Sequence, residues 1–311
     1  MIRLIQNELM KLTHKVNTWV MIAILLISVL SLGVFKIYTQ NESDKQADAW
    51  KEELRAEIMT NEEFIANNGE DSIARSIIEE NNYRLNNNLP PQESLPDSVW
   101  TFLSDSQTLI QLVGLFVIVT AATIVSTEFK NGTISHLLIR PPSRIAILLS
   151  KYATIIIYSI FLMFFLFALT FIIGVTVFGF DGNFVHLIYK NGELHEQSIV
   201  NNILVVYTAN WIDIVVISSL AFGLSSIFNN DSLPIALSLF LYILGSAITS
   251  VVAAFFDWPK YLFLTNSLEQ YFTTQGPPID NMTIEFSIII LLLYWILFMT
   301  FSIIIFNRKE V

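Results

Sequence analysis

The sequence predicts an all-α integral membrane protein with six transmembrane helices, and three observations carry that expectation. Hydrophobic residues make up 53% of the 311 and charged residues 14%, with a mean hydropathy of +0.57, a balance unsuited to a water-soluble domain. Six stretches of about 20 or more mainly apolar residues recur, the length a helix needs to cross a ~30 Å hydrocarbon core. Basic residues gather in one loop, between the second and third stretches, as the positive-inside rule expects of a cytoplasmic loop.

Residues 1–16 place Ile2, Ile5, Leu9, Leu12 and Val16 at spacings of three and four, one face of a helix. They are read as an amphipathic interfacial helix with Lys11 and Lys15 available to lipid headgroups. No small-x-small cleavage site follows, so span 1, residues 17–38, is read as retained. Residues 39–105 hold 15 acidic and five basic residues and read as an extracytoplasmic helical insertion. Its two patches, Ala47, Trp50, Leu54, Ile58 and then Ile73, Ile77, Ile78, are separated by Asn68-Gly69 and ended by Pro90-Pro91 and Pro96.

Span 2 covers 106–126, and a cytoplasmic segment covers 127–150. Span 3 covers 151–179, with six Phe between Phe161 and Phe178 read as packing. A short external loop runs to Ser198, followed by span 4 at 199–228 and span 5 at 232–256. Residues 257–283 are apolar but interrupted, too short to cross, and read as an external, partly re-entrant segment. Span 6 covers 284–306.

The net charge of −10 divides by side. With both termini in the cytoplasm, nine basic residues meet four acidic ones inside, eight basic meet 22 acidic outside, and Asp213 lies within span 4. No basic stripe with interleaved aromatics argues for nucleic acid. The absence of cysteine removes disulfides, thiolate metal sites and thiol nucleophiles. His14, His136, His186 and His195 show no metal-ligand spacing, and no G-x-S-x-G run or intramembrane carboxylate pair supports a hydrolase. The sequence therefore names no catalytic or metal residue and no enzyme activity for this chain.

Asp213, beside Asn210, is an intramembrane carboxylate, costly to bury. Both are candidates for a substrate or ion path, with hydrogen-bonded packing as the alternative.

The segment "STEFKNGTISHLLIRPPSRIAILLSKY" carries Glu128, Lys130, Arg140, Arg144, Lys151 and a Pro141-Pro142 break between two apolar spans. Ile134, Leu137 and Leu138 suggest an amphipathic turn lying across the membrane, flanked by charge. An ordinary orienting loop is the alternative. Within it, "EFKNGTISHLLIRPPSRIAILLSK" resembles the segment between the second and third spans of type-2 ATP-binding cassette (ABC-2) exporter permeases, at Glu128, Gly132, Thr133, Leu137, Leu138, Pro142, Ser143, Arg144 and Lys151. The whole-chain architecture is similar as well.

The resemblance implies a coupling helix seated on a separate ATPase, with Glu128, Lys130, Gly132, Thr133, Leu137, Leu138, Arg140, Pro142, Arg144 and Lys151 as ATPase-coupling residues. No G-x-x-x-x-G-K-[ST] run occurs in the chain, so ATP and Mg would belong to the partner and this chain would bind no cofactor. The implied partners are two ABC ATPase subunits, a second copy of this permease or a related one, and the bilayer. The implied setting is a bacterial plasma membrane, and the implied function is ATP-driven export of a hydrophobic or amphipathic compound, such as a drug or antimicrobial peptide. Sodium or other ion extrusion, an ion-coupled carrier using Asp213, and a non-transporting sensor remain open.

Overall fold

A computed structural model describes residues 1–43, 50–69, 72–91, 97–132, 142–180, 185–190, 193–273, 276–279 and 282–309. Six helices are long and apolar enough to cross a membrane: Val16–Thr39, Val99–Lys130, Arg144–Phe178, Ile199–Ile227, Ser232–Ala253 and Ile284–Arg308, here spans 1 to 6. The chain is a multi-pass helical membrane protein. Thr133, Ile134, Leu137, Leu138 and Arg140, all in the segment singled out above, lie outside the described residues.

Spans 2 and 4 are the most enclosed and form the centre, with spans 1, 3, 5 and 6 packed around them. The core gathers Phe102, Leu103, Val117, Ile118, Leu148, Ile155, Leu162, Leu166 and Phe222, all buried. Tyr242 of span 5 lies over Gly114 of span 2, where an added Cβ would sit 2.0 Å from the Tyr242 hydroxyl. Only glycine allows that approach, since real Cβ contacts are much longer.

Span 2 is built in pieces. Ser98 caps it through a reciprocal pair with Thr101, which satisfies amides that a helix start leaves open. A 3₁₀ turn at Ser106–Leu109 follows, and the α-helix is interrupted again between Thr123 and Ser126. There the freed amides of Val125 and Ser126 both donate to the Ser225 hydroxyl of span 4, at 3.2 and 2.9 Å. In hydrocarbon such amides need a protein acceptor.

The structure places several elements differently from the sequence-based boundaries. Span 2 starts at Val99 rather than 106, tied to the end of span 3 by Val99 N–H donating to Gly179 O at 2.9 Å. Span 3 is one helix of 35 residues from Arg144, roughly 52 Å long at 1.5 Å per residue, so Arg144 to Ser150 are its first turns. Ser143 caps it by accepting from Ala146 N–H. Within the loop before span 4, Val185–Lys190 and Glu193–Ser198 pair as antiparallel strands β1 and β2. They are the only strands among the described residues, a departure from purely helical structure.

Trp50–Asn68 and Ser72–Asn87 form two helices that pack on each other between spans 1 and 2. Asn81 Nδ2 donates to Glu57 at 3.0 Å, and Tyr83 OH donates to Glu196 of β2 at 3.3 Å. Lys36 near the end of span 1 pairs with Asp97 at 3.0 Å and with Asp105. The segment before span 6 folds into three 3₁₀ turns, Trp258–Tyr261, Phe263–Thr265 and Glu269–Phe272, laid against spans 4, 5 and 6.

The N-terminal helix, Ile2–Thr13, packs on spans 1 and 3. Ile2 on this helix and Val16 at the start of span 1 are exposed, at 74% and 73%, while Leu12 and Glu8 turn inward. The reason lies in Glu8: its carboxylate meets two lysines, and that pairing sets the helix's rotation.

Candidate functional site

The second half of the N-terminal helix, the end of span 2, the start of span 3 and the end of span 6 meet at one end of the bundle, termed basal here. At its centre stands Lys151, fully buried on span 3. Its Nζ lies 2.8 Å from Glu8 Oε2 and 2.7 Å from Glu128 Oε1. Lys11 closes the ring, 2.7 Å from Glu8 Oε1 and 2.9 Å from the same Glu128 oxygen. Two carboxylates and two ammoniums thus alternate, each touching both opposite charges, which is the arrangement that offsets the desolvation of buried ions.

The electrostatics follow from that geometry. Burial alone would raise the Glu8 carboxyl, but Lys151 and Lys11 outweigh it and hold Glu8 below its ordinary value of 4.5. Burial lowers the Lys11 ammonium, and the hydrogen bonds to Glu128 and Glu8 more than reverse this, leaving it raised. Lys15 is pushed down by burial first and then by the Lys151 charge.

A second polar knot lies beside the first. Asp231, in the short turn between spans 4 and 5, accepts from Ser126 Oγ at 2.7 Å, Thr127 Oγ1 at 3.0 Å and Lys130 Nζ at 3.2 Å. Burial would raise this carboxyl, but these donors hold it below 3.8. Lys309 Nζ donates to Ser226 O and Ile227 O, both at 3.0 Å, and lies 3.9 Å from the Phe129 ring centroid. Arg144 Nη1 donates to Lys309 O at 3.0 Å. Cations on the open carbonyls at a helix C-terminus oppose its negative dipole end.

Of the ten residues singled out for coupling, the structure brings Glu128 and Lys151 together at the cluster. It sets Lys130 on Asp231 and Arg144 on the end of span 6. Gly132 takes a left-handed turn, φ +68°, suited to glycine, and Pro142 is half-buried at the far edge of the undescribed stretch. Glu8 and Asp231 were missed as site residues. Glu8 sits one turn before Lys11, an i, i+3 pair visible in the sequence, but nothing local shows that it faces inward.

Asp213, midway along span 4, accepts from Ser267 Oγ at 2.7 Å and from Leu268 N–H at 3.1 Å. It therefore fastens the segment before span 6 at the middle of the bundle. Asn266 extends this anchorage, donating to Lys260 O and Leu262 O and accepting from Ser287 Oγ of span 6 at 2.7 Å. Asn210 Nδ2 donates to Val206 O of its own helix. No group of three or more His, Cys, Asp or Glu suited to a metal occurs among the described residues.

Residues 73–311 match the family described as "Protein of unknown function (DUF2705)". The chain belongs to that family. It is 35% identical over 321 residues, all of this chain and 99% of the relative, to "Uncharacterized protein YhcI" of Bacillus subtilis (strain 168). It is 28% identical, over 68% of this chain and 82% of the relative, to "Uncharacterized membrane protein YdbK" of the same organism.

These matches correct the assignment to type-2 ATP-binding cassette permeases that the loop resemblance implied, because the family they identify is one of unknown function. The physical reason is that the resembling residue types meet general needs of a membrane-edge loop. In this fold three of them serve internal contacts: Glu128 and Lys151 in the buried ring and Arg144 on the end of span 6.

Lys151→Met leaves two carboxylates buried with only Lys11 between them, and a loss of about 3–5 kcal/mol in stability is expected, measurable by denaturant unfolding in detergent. Glu8 and Asp231 are depressed in the folded protein, so their stabilisation is complete above their ordinary values of 4.5 and 3.8 and fades as pH falls through the lowered ones. Melting temperature should therefore drop between pH 5 and 3, and less steeply in Glu8→Gln. Asp213→Leu removes the acceptor for Ser267 and Leu268, whereas Asp213→Asn retains an oxygen there. With no native cysteine, maleimide labelling of a cysteine placed at Leu268 should rise in the Leu variant and stay low in the Asn variant.

Proposed function

We propose that the chain is the membrane-embedded subunit of an exporter driven by a separate ATP-hydrolysing protein, with residues 127–150 as the surface on which that protein docks. One observation carries this reading: both ends of that segment are fixed to the same buried ring through Glu128 and Lys151, 2.7 Å apart. Force on a surface loop is lost if its ends give way separately. Here a displacement of the loop acts on spans 2 and 3 and the N-terminal helix together, the mechanical requirement for passing work into a bundle.

The remaining parts of the reading follow from charge and chemistry. The basic residues of the basal end orient it toward the cytoplasm of a bacterial plasma membrane. The termini then lie inside, the N-terminal helix lies in the inner interface, and the helix pair at 50–87 and the β-hairpin lie outside. The chain carries no P-loop run, so nucleotide and Mg belong to the partner. Two motor subunits and a second permease, identical or related, complete the complex. The cargo is a hydrophobic or amphipathic compound, in keeping with a path through apolar spans. Asp213 and Asn210 are the polar groups along it.

The test is purification from native membranes in mild detergent with identification of the associated chains. A soluble ATPase should co-purify, and Arg140→Glu should reduce its recovery several-fold without changing the amount of this protein. Purification of this chain with no nucleotide-hydrolysing partner, or unchanged recovery with Arg140→Glu, overturns the reading.

A further inference from the structure

The N-terminal helix ends, as every helix does, with carbonyls that its own backbone leaves open, and span 1 reaches back to close them. Thr18 Oγ1 donates to Leu12 O at 2.7 Å, and the Trp19 indole N–H donates to Thr13 O at 2.9 Å. The first of these bonds is buried, and Lys15 N–H adds a third, to Leu12 O at 3.1 Å. The break between the two helices is therefore fastened by bonds that run from one to the other. Residues 1–39 make one piece.

That piece is attached to the bundle unevenly. Along span 1 only Thr18, Leu25, Val29 and Gly33 are buried, a single narrow stripe, and the rest of its described surface is exposed or half-buried. At Gly33 the stripe lies on Phe102 of span 2 and Ile173 of span 3. Between Val20 and Phe35 one side-chain hydrogen bond to another span occurs among the described residues, from Tyr158 OH to Met21 Sδ at 3.6 Å, and a thioether is a weak acceptor. Lipid tails are as apolar as these side chains, so covering the stripe with protein rather than lipid supplies no hydrophobic driving force. The firm attachments stand at the two ends. Glu8 and Lys11 engage Lys151 and Glu128 at the basal end, and Lys36 engages Asp97 and Asp105 at the other.

We propose that residues 1–39 form a strap held against spans 2 and 3 by two ionic clasps, and that release of either clasp loosens the whole strap as one unit. Elements with few buried contacts are the ones that open first, and here the ion pairs at the ends stand in for the packing that the middle lacks. Thr18 and Trp19 make the strap a unit, since they carry a displacement at the buried ring into span 1. A loosened strap uncovers the seam at Phe102 and Ile173 to the bilayer. This inference is independent of the proposed export function.

With no native cysteine, pairs of spin labels on the full-length protein in lipid nanodiscs read the strap's position as a distance distribution. Labels at Met10 and Ile145 report on the basal end, labels at Ile37 and Thr176 on the far end, and labels at Leu204 and Ile289 on spans 4 and 6 as a control; all six positions are exposed. Glu8→Gln combined with Lys11→Gln removes one charge of each sign and leaves Lys151 paired with Glu128, so the ring opens without stranding a buried ion. It should widen the distributions at both the basal and the far pair and leave the control unchanged. Lys36→Gln, which opens the other clasp, should do the same. Adding Thr18→Val and Trp19→Phe to the ring variant should confine the widening to the basal pair. A far pair that stays narrow when the ring is opened, a far pair that still widens once Thr18 and Trp19 are replaced, or widening of the control pair as well would each overturn the proposal.

Discussion

The Lys151 ammonium is wholly enclosed, and a charge so placed is tolerated only with carboxylates fixed against it. Those carboxylates come from two other elements, Glu8 from the N-terminal helix and Glu128 from the end of span 2. One buried cation therefore dictates the rotation of the first helix, the exit direction of span 2 and the entry of span 3. Lys11 closes the ring from the solvent side, so each carboxylate has two cations.

Around this ring the basal end follows a consistent electrostatic logic. Spans 4 and 6 finish there with carbonyls left open, and cations are used on them: Lys309 on span 4 and Arg144 on span 6. Asp231 gathers Ser126, Thr127 and Lys130 and so draws the short turn between spans 4 and 5 onto span 2. The positive loop that orients a membrane protein is here also the cement of the bundle's end.

The spans were legible because a stretch of some 20 apolar residues has few alternatives to a crossing helix. The rotation of the first helix was not, because Ile2, Ile5, Leu9, Leu12 and Val16 satisfy the helical period whichever way the helix is turned. Glu8 decides the matter through a residue 143 positions away, and no local pattern encodes so distant a partner. The start of span 3 was misplaced for a related reason: Arg144 read as a charge of the cytoplasmic segment, yet it opens the helix and holds the end of span 6, so that Lys151 lies two turns inside and buried. The β-hairpin at 185–198 escaped because its residues show no clean apolar alternation. The family resemblance read from the loop misled because the same residue types serve the loop's internal contacts.

At the interruption of span 2 near Val125 one oxygen, that of Ser225, serves two amides at once. Two such bonds meeting at one atom resist separation of the helices, and Ser126 Oγ, donating back to Ala122 O at 3.0 Å, keeps the two parts of span 2 in line. The lower turn of span 2, with Glu128 on it, is therefore tied to span 4 at the point where its own helix breaks, and the ring and Asp231 hold it from below.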